Sequence, residues 1–159
     1  MPFDGSDIYQ LASRLSLPSL ERAARAAGVM SVLEISAYYV ERRVRHSVAR
    51  VIEYQLGEIE LHVAYEGVRL ETIPRIALEA SRIEKLNAVL LAAKFQSLSD
   101  QPDLSYDERC LWLIQGAAGA HIHGIMVAPD RPVLPYATIV NAIDQYLPEA
   151  IREVPLRSA

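Results

Sequence analysis

Apolar side chains at Leu33, Ala37, Val40, Val44, Val48, Ile52, Leu56, Ile59 and Val63 fall at steps of three and four. That is the spacing of one helical stripe. Ser31 and Glu34, in "SVLE", read as a capping box that opens the helix, and Gly67 reads as its stop. The pattern predicts a helix of about thirty residues. A second long helix is expected from Ser105, with Glu108 as the other half of its capping box, to about Val127. Its residues Leu111, Trp112, Leu113, Ile114, Ala117, Ala118, Ala120, Ile122, Ile125 and Met126 are apolar on most faces, which places it centrally.

Shorter elements surround these two. Asp7 to Arg14 reads as a short helix ended by "SLPS". Ser19 caps another over Leu20 to Ala27, with Glu21 in its first turn and Gly28 as the stop. Thr72 and Pro74 open a helical stretch that meets no breaker before Leu98, either one helix or two. Tyr136 to Tyr146 reads as the last helix. Sustained alternation is absent, so little sheet is expected.

The chain also repeats a punctuation. "LHVAYEGVRLETIPRIAL" from Leu61 recurs sixty-one residues on as "IHGIMVAPDRPVLPYATI" from Ile122. Leu61-His62 stands over Ile122-His123, and Ile73-Pro74 over Leu134-Pro135. Each half thus reads as short helix, long helix, turn, short helix. Each long stripe is too long for its own half to cover, so the halves are expected to cover each other.

On these residues the chain resembles the histone fold. "LERAARAAGV" is similar to the first histone helix, "SVLEISAYYVERRVRHSVARVIEYQLGEIELHVAYE" to the long central one, and "GVRLETIPRIALEAS" to the second loop and third helix. The second half follows as "KLNAVLLAAKFQSL", "SYDERCLWLIQGAAGAHIHGIMV" and "DRPVLPYATIVNAIDQYL". The chain also resembles a small prokaryotic family with two histone folds in one chain. The resemblance implies an all-α fold: one globular domain over residues 1–159, built of histone-fold-like halves at 18–84 and 85–147, paired as an intramolecular pseudodimer. In the loops it implies Arg69 and Arg131 as contacts to DNA. Thr72 stands two residues beyond the usual neighbour of Arg69, and Ile76 or Ala77 occupies the place of the Asp that pairs with such an Arg.

Composition adds three constraints. Hydrophobic residues make up 51% of the chain, enough for a core without disulfides or metals. The lone cysteine, Cys110, reads as a small buried residue and fits a reducing, cytoplasmic setting. No leader or membrane span is evident, and the net charge of −4 argues against phosphate binding over the whole surface.

The strongest local charge lies in "ERRVRHSVAR". Residues 21–50 hold six arginines against three glutamates. Arg42, Arg43, Arg45 and Arg50, with Arg69 and Arg131, are the candidate contacts to a nucleic-acid backbone or an acidic partner. The alternative is a solvated face with Glu41 and Glu53 paired to Arg45 and Arg50. His121 and His123, two apart on a helix, point away from each other and cannot share a metal. Asp100, Asp103, Asp107 and Glu108 lack calcium-loop spacing. Tyr38, Tyr39 and Tyr54 read as core edge. The sequence carries no catalytic constellation, cofactor motif or metal site, so a non-enzyme is expected. Two readings stand: weak, sequence-tolerant binding of double-stranded DNA, or a protein–protein interaction module that has lost DNA binding. Either would be a monomer closed by its own halves, or a higher oligomer of that unit.

Overall fold

The computed structural model describes residues 5–105 and 107–156. The two predicted long helices are absent, and strands stand in their place. The elements are α1 (Ser6–Tyr9), α2 (Leu11–Arg14), α3 (Leu20–Ala24), β1 (Val29–Tyr39), β2 (Ser47–Tyr54), β3 (Ile59–Tyr65), β4 (Ile76–Ala77), α4 (Ala80–Ala92), β5 (Cys110–Ala118), β6 (His121–Val127) and α5 (Tyr136–Tyr146). The strands form one antiparallel sheet in the order β4-β3-β2-β1-β5-β6. The all-α class, the two histone-fold-like units and the pseudodimer of crossing helices are therefore corrected. β1 of the first half pairs directly with β5 of the second, so a single sheet spans both.

Burial on both faces explains why the strand period was hidden. On one face Ile35, Ala37, Val51, Leu61, Val63, Ile114 and Ile125 pack under α4 and α5, with Ile83, Leu86, Ile139 and Ile143. On the other face two smaller clusters form. Ile8 of α1 meets Leu111, Leu113 and Met126, and Leu20 and Ala24 of α3 meet Val32 and Ala117. An antiparallel sheet with one wet face alternates apolar and polar residues; one covered on both faces does not. The steps of three and four from Leu33 to Val63 are a coincidence of residues on three strands and the turns between them, where Val40, Val44 and Leu56 lie. They also run through Gly57, whose φ of +96° makes the β2–β3 turn.

The expected capping boxes dissolve in the same way. Ser31 and Glu34 lie inside β1, with Ser31 Oγ donating to Glu53 at 2.7 Å and Glu34 paired to Arg50. The stretch expected as a helix from Thr72 to Leu98 yields a 3-10 turn at Leu70–Thr72, extended chain with β4, and only then α4. Three short predictions survive: the Asp7 to Arg14 stretch is helical as α1 and α2, and the helix expected over Leu20 to Ala27 forms as the shorter α3. Ser19 caps α3, its side chain accepting from the Arg22 N–H at 3.1 Å, and Gly28 at φ +80° follows. The last helix runs from Tyr136 to Tyr146 as expected.

The expected repeat of helix end, turn and helix start is corrected: what recurs in the fold is a β-hairpin followed by a helix, β2-β3 before β4 and α4, then β5-β6 before α5, and Pro74 leads into extended chain where Pro135 leads into a helix. The sequence alignment is one residue out of step with the pleat. Leu61 faces α4 and α5, whereas Ile122 stands on the opposite face from its neighbour His123, which packs edge-on against Phe95.

Candidate functional site: an apolar cleft beside α4

Arg50 is buried and makes a 2.6 Å ion pair with Glu34, and its Nη2 donates to the Pro18 carbonyl at 2.6 Å. It ties the N-terminal segment to the sheet. Arg42, in the β1–β2 loop, pairs with Glu66 at 2.6 Å. Arg45 donates to the Glu66 carbonyl at 2.7 Å and lies across Gly67. Arg43 is exposed in the same loop. Arg69 pairs with Glu71 at 2.7 Å in an exposed turn, and Arg131 pairs with Glu108 and donates to the Asp103 carbonyl. The fold thus gathers Arg42 and Arg45 around Glu66. Carboxylates meet Arg42, Arg50, Arg69 and Arg131.

His46 sits in that cluster. It is buried, its ring stacks on Tyr38 at 4.3 Å, and its Nδ1 accepts the Tyr39 N–H at 3.0 Å. Burial, helped by the Arg42 charge, pushes its pKa down to about 4, against the pull of Glu66. The folded chain therefore favours the neutral ring. Stability from this group is fully present above about 6.5, the free-histidine value, and is lost as pH falls toward about 4. Urea melts at steps from pH 7.5 to 4.5 are expected to show this decline. His46→Asn keeps an acceptor for the Tyr39 N–H without a titrating ring, so it should decline less over that window. Equal slopes for the two proteins would exclude His46 as the source.

The remaining candidates take structural places. Cys110 is buried, which raises its thiol to about 12. On strand β6 His121 and His123 share a face, contrary to the helical expectation. Their Nε2 atoms lie 2.9 Å from Gln96 Oε1 and from the Leu98 carbonyl. His62 Nε2 lies 3.3 Å from the Ile73 carbonyl. Among the described residues no group of three or more His, Cys, Asp and Glu side chains could hold a metal ion. Tyr39 lies under the Arg109 guanidinium, and Tyr54 donates to Glu60. Asp100 accepts the Met126 N–H at 2.8 Å.

A concavity lies elsewhere, beside α4. α4 and α5 cover only part of their sheet face. Where α4 ends, a cleft of about 460 Å³ remains between α4 and strands β1, β2 and β5. Its floor is Leu33 and Val51 with the small residues Ser31, Gly116 and Ala118. Ile83, Asn87, Leu90 and Leu91 of α4, spaced by four and three, form one wall. The turn Lys94–Ser97 forms the end wall, with Phe95 buried behind it. Small residues on β5 and the early end of α4 create the space.

The polar groups of the cleft, Ser31, Glu53, Asn87, Lys94, Gln96, Ser97 and His121, are unequal, and Gln96 and His121 engage each other at 2.9 Å. Glu53 is held by Ser31 Oγ at 2.7 Å and Asn87 Nδ2 at 3.4 Å. The Lys94 ammonium has no carboxylate or hydrogen-bond partner among the described residues. Its backbone is left-handed, φ 58° and ψ 44°, in the position past a helix end that glycine usually fills. Holding a side chain there costs about 1 kcal/mol. Leu91, one turn earlier, is 81% exposed at the rim.

Comparison of the sequence with protein-family models and with curated proteins finds no match, which leaves the histone resemblance without support from relatives as well as from the fold. Ser31, Leu33, Glu53, Ala117, Ala118 and His121 of the cleft stand out in the sequence in other roles, and none of them as part of a binding site. Two signals were available: Gly116, Gly119 and Gly124 interrupting an apolar run, and Lys94 as one of only two lysines in the chain.

Proposed function

We propose that this protein is a non-catalytic binding module that takes apolar side chains of a partner protein in the cleft between α4 and the sheet. The cleft itself carries the reading: about 460 Å³, apolar on floor and wall, with a large exposed leucine at its mouth. Specific sites have this size and this ratio of apolar surface to placed polar groups. An amphipathic helix laid along α4 would set its apolar face against Leu33, Val51, Leu90 and Leu91, a common mode of peptide recognition. The neutralised arginines favour this reading over one built on phosphate contacts. No helix among the described residues is long and apolar enough to cross a membrane.

Gly116→Leu tests the proposal. A Cβ on Gly116 would stand 3.6 Å from Phe95 Cε1 and 4.0 Å from Gln96 Nε2, ordinary contact distances. The rest of a leucine side chain must then occupy the cleft. The parent protein is expected to enhance the fluorescence of the neutral dye N-phenyl-1-naphthylamine and to release it to a leucine-faced amphipathic 14-residue peptide with glutamines on its polar side. Gly116→Leu should melt near the parent and lose both responses. Dye and peptide binding that ignores the plug would overturn the assignment of the cleft.

A further inference from the structure

We infer that the partner segment carries an acidic residue beside its apolar face, and that Lys94 is the residue that selects it. The inference rests on the cleft being the binding site.

Three observations carry it. First, Lys94 is the one Lys or Arg among the residues lining the cleft, and no carboxylate of the described residues holds its ammonium. Second, Lys94 occupies a backbone conformation that favours glycine, so its side chain is present against the local preference. Strain of this kind gathers where a side chain serves recognition rather than folding. Third, Lys94 lines an apolar cleft whose one carboxylate, Glu53, is engaged by Ser31 and Asn87. Asn87 and Lys94 are seven residues apart, roughly 10 Å along a helix axis. The cleft therefore has a satisfied acidic end and an unsatisfied basic end. An occupant with a carboxylate at the Lys94 end complements both, and an apolar occupant shields the new pair from water, which strengthens it.

The prediction runs against the bulk charge. A net charge of −4 would draw a basic peptide in preference to an acidic one. The probes are three versions of the leucine-faced 14-residue peptide that carry Glu, Gln or Lys at a single end of the apolar face, each made with that residue at either end and labelled for fluorescence anisotropy. The parent is expected to bind them in that order, with the Glu peptide three- to tenfold tighter than the Gln peptide. Lys94→Gly should melt at a higher temperature than the parent, because glycine relaxes the turn, and should bind Glu and Gln peptides equally. Lys94→Glu should reverse the order and favour the Lys peptide. A parent that binds the Gln peptide in the cleft but does not prefer Glu would overturn this inference and leave the binding reading intact. Loss of all three peptides would remove the reading itself. A Lys94→Gly protein that is more stable and equally selective would show that the lysine has no part in recognition.

Discussion

Glu34→Ala is expected to lower the free energy of unfolding by about 3–5 kcal/mol, the usual cost of leaving one member of a buried ion pair alone. The side chains of Glu34 and Arg50 are only 3% and 5% exposed, and their charged atoms lie 2.6 Å apart. Both sit on the sheet face covered by the N-terminal helices, on adjacent strands in direct register. Without Glu34, the Arg50 guanidinium keeps one bond, to the Pro18 carbonyl, and most of its charge stands uncompensated in a dry layer. The N-terminal segment should loosen first, so hydrogen exchange at residues 20–28 is expected to speed up before that of β1 and β5. The double change Glu34→Leu with Arg50→Leu should recover most of the loss, because an apolar pair of similar volume removes the desolvation cost along with the attraction. A single change costing under about 1 kcal/mol would mean that water reaches the pair.

Leu113→Ala and Ile114→Ala should each cost about 2–5 kcal/mol in urea melts, although they are neighbours on β5 and point to opposite faces. Ile114 is in register with Ile35 and Ile125 beneath the α4–α5 layer, and Leu113 packs with Ile8 and Met126 beneath the N-terminal helices. In a sheet with one wet face, one of the two would be nearly free. A loss confined to Ile114 would show that α1 and α2 do not seal their face. The polar neighbour Gln115, half-buried beside Gly124, should tolerate alanine at under about 1 kcal/mol.

What the sequence settled by itself is local. Ser19 before "LERAA" caps a helix because a hydroxyl satisfies an N–H that no preceding turn can reach, and that chemistry needs no distant partner. The helix from Tyr136 to Tyr146 was legible because it is amphipathic, with Tyr136, Ile139, Val140 and Ile143 on one buried side. The strands were decided by tertiary structure. Helical layers cover the sheet on both faces, so Ile35 and Ser36, or Val51 and Arg50, are all buried, and the alternation that marks a strand never reaches the sequence. Glu34 and Arg50 look like surface charges in the sequence and become interior ones only when β1 and β2 pair. The cleft belongs to the same class. Leu33, Val51, Gly116 and Lys94 come from three strands and a helix end, and a binding surface exists only because the early stop of α4 leaves that patch of sheet uncovered.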